Sequence, residues 1–291
     1  MYHPIPRHWQ CRHLQIPLGQ ATKIMAILNA TPDSFSGDGL STATPETLTA
    51  RITAMAHAGA HILDIGGEST RPGFIPISAD EESRRIQHLL LLCHTHSSLP
   101  LSIDTTKRAV AEIALCAGAV IINDISGLKH DPTLARLAAD TGAGLILGRF
   151  TTYPIHQPIP DNSPTPLITR VRQELEQSIE RALRAGIHQE QIVLDPCFGF
   201  NLQPHQSAEV LLHLHELLSL GFPLLIGISR KGFTGYPDHL PPHERHWATA
   251  AAHTLAIEHG ASILRLHDVE AAVRIARFTD FVTRRSTSTH A

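Results

Sequence analysis

Along this chain, short apolar runs alternate with longer stretches in which apolar residues recur every three to four positions. The runs fall at 24–28, 61–65, 101–104, 120–123, 145–148, 192–195, 224–228 and 263–267. Each has the length of a strand and is apolar enough to be covered on both faces, the pattern of a buried parallel strand. The stretches between them, at 45–57, 79–96, 107–117, 131–141, 166–185, 205–220, 243–259 and 269–282, predict amphipathic helices. Thr44 ahead of Pro45 reads as a helix start. Gly59, Gly118, Gly186, Gly221 and Gly260 stand where helices should stop.

Eight strand–helix units repeat at a spacing of roughly 34 residues, close to one βαβ unit. An α/β chain of this kind closes on itself as a single-domain (β/α)8 TIM barrel. A doubly wound open sheet would carry a glycine-rich loop after its first strand. Here Asn29-Ala30-Thr31-Pro32-Asp33-Ser34 follows, with no GxGxxG. The expected organisation is an N-terminal extension over 1–22 capping the barrel, the barrel itself over 23–283, and a flexible Ser/Thr-rich tail over 284–291.

Composition narrows the function classes. Hydrophobic residues at 42% and charged residues at 18% supply a large core and exclude a disordered chain. No apolar run approaches the ~18 residues of a membrane span. The first residues lack the apolar segment of a secretion signal, so a cytoplasmic protein is expected. A net charge of −3 speaks against nucleic-acid or membrane partners and leaves small molecules as substrates. The 21 histidines read as solvated surface. Three close pairs, His94/His96, His213/His215 and His243/His246, lack both the HExxH spacing and grouped Cys or carboxylate ligands. Cys11, Cys93, Cys116 and Cys197 form no CxxC pair, so neither a disulfide framework nor a zinc ribbon is expected.

The candidate chemistry lies at the C-terminal ends of the strands, where barrels of this class keep their active sites. Reading those ends gives Asn29, Asp64, the run Gly66 to Arg71, Asp104, Asn123 with Asp124, Asp195, Ser229-Arg230-Lys231, and Arg265 with His267. Buried polar groups are costly unless paired or used, and so many at one rim point to a site. Arg265 and His267 alternate on the eighth strand and so face one side, and Lys231 follows the seventh. These cations suit a phosphorylated ligand. Asp104, Asn123 and Asp195 offer acceptors and an amide to a flat nitrogen-rich ring. A carboxylate beside the reacting carbon would stabilise positive charge developing there. Two Gly-containing loops with polar tips, 31–39 and 66–76, have the character of catalytic lids.

These residues also carry a family resemblance. The segments Ile27-Leu28-Asn29-Ala30-Thr31-Pro32-Asp33-Ser34-Phe35-Ser36 and Asp64-Ile65-Gly66-Gly67-Glu68-Ser69-Thr70-Arg71-Pro72-Gly73 open the series. Ser102-Ile103-Asp104-Thr105, Ile122-Asn123-Asp124-Ile125-Ser126-Gly127, Leu194-Asp195-Pro196, Ser229-Arg230-Lys231 and Arg265-Leu266-His267-Asp268 complete it. In this order they resemble the dihydropteroate synthase family of pterin-binding barrels, from about residue 23 to 280. The resemblance implies a transferase of folate biosynthesis, which condenses 6-hydroxymethyl-7,8-dihydropterin diphosphate with 4-aminobenzoate and releases pyrophosphate. It implies that Asp104, Asn123, Asp195 and Lys231 hold the pterin ring. Asn29 would bind Mg2+, and Arg265 and His267, with Asn29, would hold the diphosphate. Thr70, Arg71, Ser229 and Phe200 would lie near the aminobenzoate, with Asp104, Lys231 and Arg71 carrying the catalysis. A homodimer is implied as well.

The chain departs from the family pattern in three places. After the fifth strand it reads Leu147-Gly148-Arg149-Phe150-Thr151 where a Met-His pair is usual. Cys197 stands where Gly is usual, and the Gly-Lys pair often found after Phe200 is absent. Ser36-Gly37-Asp38-Gly39 reorders the first loop. Two other readings stay open: a pterin-binding paralogue without synthase activity, and a methyltetrahydrofolate-dependent methyltransferase.

Overall fold

The computed structural model describes residues 5–30, 44–69, 75–150 and 163–284. It opens with a hairpin of β1 (His8–Cys11) and β2 (Leu14–Pro17). Eight strands follow: β3 (Lys23–Asn29), β4 (Ile62–Gly66), β5 (Leu101–Asp104), β6 (Ile121–Asp124), β7 (Gly144–Leu147), β8 (Ile192–Leu194), β9 (Leu224–Ile226) and β10 (Ala261–Leu266). All neighbours run parallel, and β10 pairs with β3 to close the barrel. The helices are α1 (Pro45–His57), α2 (Ala79–His96), α3 (Arg108–Cys116), α4 (Thr133–Thr141), α5 (Leu167–Arg184), α6 (Pro204–Leu212), α7 (His246–Glu258) and α8 (Val269–Thr283). The sequence expectation of a (β/α)8 barrel is met.

Local chemistry sets the helix ends. Thr44 and Ser78 accept from the backbone N–H groups of Thr47 and Glu81 at the starts of α1 and α2. Asp131 accepts from the Thr133 amide at 3.0 Å, so α4 begins two residues later than the periodicity suggests. The five glycines expected at helix stops all adopt positive φ, from 81° to 103°. The stretch expected as one helix over 205–220 divides at His213, and a 3-10 segment continues over Leu214–Leu220. Its three-residue turn points Leu214 and Leu217 together into the core.

Side-chain parity decides what the barrel contains. Successive residues of a strand face opposite sides of the sheet. Ile24, Ala26 and Leu28 of β3, and Leu63 and Ile65 of β4, pack outward with the helices in one continuous core. Met25, Ile62, Ile121, Ile146, Val193, Leu225 and Ile263 face inward as a separate apolar layer. Trp9, Cys11, Ile16 and Leu18 of the N-terminal segment close that layer from below, with Trp9 Nε1 donating to the Gln191 carbonyl at 2.8 Å. One step up the strands, the inward positions become Asp64, Ser102, Asn123, Asp195 and Arg265. Another step along β3, β4 and β5 gives Asn29, Gly66 and Asp104. The barrel is therefore sealed and apolar at one end and polar at the other.

Candidate active site

Arg265 organises the polar end. It reaches across the barrel so that Nε donates to Asp64 Oδ2 at 2.6 Å and Nη2 to Asp104 Oδ2 at 2.5 Å. Asn123 Nδ2 donates to the same Asp64 oxygen at 3.2 Å. The other Asp64 oxygen is buried and lacks a hydrogen-bond partner among the described residues. The sequence reading separated cations from carboxylates, whereas the structure pairs them. The long guanidinium stem bridges strands that are far apart in the chain but only two and three places from β10 in the closed barrel. Asp64 belongs to the strand-end set but was given no role, and it is the floor on which Arg265 and Asn123 rest.

Lys231 faces the end of β8. Its Nζ donates to the Phe198 carbonyl and sits 3.9 Å from the centroid of the Phe200 ring. Its charge is felt by Asp195 at the end of β8, while His267 Nδ1 lies 3.4 Å from Ser229 Oγ. At the end of β3, Asn29 Oδ1 and the Asp104 side chain flank Gly66. A Cβ on Gly66 would stand 2.9 Å from that Asn29 oxygen, so only glycine keeps the space between them open. Thr70 and Arg71, the first loop over 31–39, and the segment over 151–162 that follows Phe150 lie outside the described residues.

Burial dominates the electrostatics. It lifts Asp104 above the usual carboxylate range, and the Arg265 guanidinium pulls the other way. Burial raises Asp195 too, against the attraction of Lys231. It lowers Lys231 to about 8, with the Asp195 carboxylate opposing the shift. Burial also works against the charge on Arg265, but Asp64 and Asp104 more than offset it and its pKa rises. The rim thus holds three carboxyl groups (Asp64, Asp104 and Asp195), one firmly charged guanidinium, and one ammonium whose pKa burial has lowered.

Two supports hold the loops. Lys107, which precedes α3, bonds Glu68 Oε1 at 2.9 Å and the fully buried Glu82 of α2 at 2.6 Å. Glu68 also accepts from the Ile77 amide at 2.7 Å, so both flanks of the second loop meet one carboxylate. The second support is Arg149, which strand-end reading did not single out as a site residue. It is 1% exposed, and its guanidinium donates to the Pro196 and Phe200 carbonyls at 2.7 and 3.2 Å and to Glu174 of α5 at 2.8 Å. A charged residue directly after an apolar strand was the available signal.

The fold and this rim define a class: a barrel enzyme whose polar site is built at the C-terminal ends of its strands. The sequence profile of pterin binding enzymes matches residues 25–267, and the chain belongs to that family. It is 42% identical over 268 residues to a dihydropteroate synthase of Synechocystis sp., covering 91% of this chain and 92% of that one. Among solved structures it is similar to the Yersinia pestis dihydropteroate synthase in complex with a sulfonamide drug. That likeness has a TM-score of 0.86 at 35% identity, over 94% of this chain and 98% of that one. It also resembles the Xanthomonas albilineans dihydropteroate synthase with 4-aminobenzoic acid, with a TM-score of 0.82 at 35% identity, over 95% and 98% of the two chains.

Proposed function

We propose that this chain is a dihydropteroate synthase, a transferase that joins 4-aminobenzoate to 6-hydroxymethyl-7,8-dihydropterin diphosphate and releases pyrophosphate. The observation that carries the reading is the polar layer at the open end of the barrel. Asp104, Asn123 and Asp195 present acceptors and an amide inside a ring of strands, with Lys231 beside them. That set matches a pterin, whose flat ring carries several N–H donors and ring-nitrogen acceptors. Arg265 and His267 at the end of β10, with Asn29 at the end of the neighbouring β3, would receive the diphosphate.

In this reading the carbon–oxygen bond to the diphosphate breaks as negative charge gathers on the leaving group. Arg265 takes up part of that charge, and the Asp104 carboxylate stabilises the cationic dihydropterin methylene. The aromatic amine then attacks that carbon, forming the carbon–nitrogen bond. It releases a proton to solvent as pyrophosphate departs. Phe200, Ser229, Thr70 and Arg71 would form the aminobenzoate side.

Mg2+ fits the donor set. The Asn29 carbonyl oxygen faces the gap kept open by Gly66, and the described residues hold no group of three or more His, Cys, Asp or Glu that could cage a metal. Mg2+ is commonly held by one or two protein oxygens with waters and substrate phosphates. When bound, it would neutralise the departing diphosphate.

The unpaired thiols of Cys11, Cys93, Cys116 and Cys197 suit the reducing cytoplasm. A homodimer is part of the reading, supported by Trp247, Phe278 and Val282, which stand exposed on α7 and α8. The test is pyrophosphate release by the purified protein with the dihydropterin diphosphate and Mg2+, with and without 4-aminobenzoate. Release coupled to dihydropteroate formation is expected. Pterin binding without product would make the chain a non-synthesising paralogue.

A further inference from the structure

We infer that Arg149 is a positioning residue that holds Lys231 and Phe200 in place for the pterin. The inference rests on the synthase reading above. The loop after β8 runs Pro196-Cys197-Phe198-Gly199-Phe200-Asn201, and its backbone is unusual. Cys197 and Asn201 both adopt left-handed φ, at 56° and 54°, and Gly199 between them has φ of 72°. Side-chain-bearing residues rarely hold that conformation unless their surroundings fix it. The Arg149 guanidinium lands on the carbonyls directly ahead of the two strained residues, those of Pro196 and Phe200.

The same residue binds the loop through its backbone. The Arg149 amide meets Cys197 Sγ at 3.4 Å, and the Arg149 carbonyl accepts from Lys129 Nζ at 3.0 Å. Phe150, next in the chain, packs edge-on to Phe200 with ring centroids 6.1 Å apart. The guanidinium is buried, and its charge is matched by Glu174 at 2.8 Å. Through these contacts Arg149 ties the end of β7 and the loop after β8 to α5.

What the loop presents is the seat of Lys231. Lys231 Nζ takes the Phe198 carbonyl and covers the Phe200 ring, and both belong to the segment that Arg149 brackets. Releasing the bracket frees that carbonyl and ring to move while leaving Asp195, Asn123 and Asp104 on their strands. The effect is therefore expected on pterin affinity more than on turnover.

The experiment compares wild type, Arg149→Met and Arg149→Lys. Steady-state kinetics with the dihydropterin diphosphate give one readout. The other is labelling of the folded, ligand-free protein with an amine-reactive acetylating reagent, scoring Lys231 against Lys23 and Lys107 by mass spectrometry. In Arg149→Met the pterin KM is expected to rise about tenfold (~1.4 kcal/mol), with kcat within about threefold of wild type. The Lys231-to-Lys23 labelling ratio should rise about fivefold as the side chain leaves its acceptor and its amine form meets the reagent. Arg149→Lys, which can reach only part of the bracket, should fall between the two, and it carries the comparison if Arg149→Met does not fold. An unchanged KM and an unchanged ratio in a folded variant would overturn the inference and leave Arg149 a stabilising group only. Inactive wild type would instead overturn the synthase reading, and the labelling ratio would still decide the role of Arg149.

Discussion

At the scale of the residue, the site works by placing charges where water cannot fully reach them. Lys231 is the clearest case. Burial lowers its pKa to about 8, so the ammonium loses its proton as pH rises through that value. Below it the group is a cation beside Asp195. Above it the group is a neutral amine that binds an electron-rich ring less well. Pterin affinity is therefore expected to weaken above about pH 8. Lys231→Ala should bind pterin ~10–100-fold more weakly at pH 7, the loss of one hydrogen bond to a charged group, and should lack the alkaline step. Calorimetric titration across pH 6.5–9.5 checks both. An identical pH profile in the two proteins would remove Lys231 from the ring site. Asp64 teaches the complementary lesson: a strand-end carboxylate serves here by holding Arg265 and Asn123 rather than by facing solvent.

At the scale of the element, the barrel's open end depends on braces between βα units. Glu82 lies at the start of α2 with its carboxylate buried, and Lys107 ahead of α3 is its described ionic partner. Burial already raises the pKa of Glu82, and Lys107 counters that shift. Removing Lys107 leaves the charge uncompensated, which typically costs ~3–5 kcal/mol. Lys107→Met is expected to lose that much stability at pH 8 in urea unfolding. The loss should be smaller at pH 5, where the raised pKa lets Glu82 take up a proton and shed its charge. Equal losses at both pH values would mean that the cation is not what Glu82 needs. Glu68, which accepts from the Ile77 amide, is held to the same lysine, so the variant should also loosen that contact.

At the scale of the whole molecule, the outer ring is not uniformly polar. Trp247 is 87% exposed and Phe278 68%, on the adjacent helices α7 and α8. Large exposed apolar side chains on neighbouring helices favour an association surface, and a two-fold pair is the commonest closed assembly. Sedimentation should give about twice the 31.8 kDa chain mass. Trp247→Glu with Phe278→Glu should give the single-chain mass with little change in the melting temperature at matched low concentration. A monomeric wild type would refute the pairing.

Much of this architecture was legible in the chain itself. Apolar runs bounded by glycines fix which segments are strands, and their number and spacing lead to a closed barrel. Parity along each strand then fixes which side chains share a face, so Asn29, Asp104, Asn123, Asp195 and Arg265 could be gathered as one rim before any coordinates. These are local properties, set by backbone geometry and by the burial of apolar surface. What only the tertiary structure decided are contacts between segments far apart in sequence: Arg265 with Asp64 and Asp104 across the barrel, Lys231 on the Phe198 carbonyl, and Arg149 beneath the loop after β8. Each of those depends on the reach and rotamer of a long side chain and on which carbonyl or carboxylate closure brings within hydrogen-bond distance, and no periodicity encodes that.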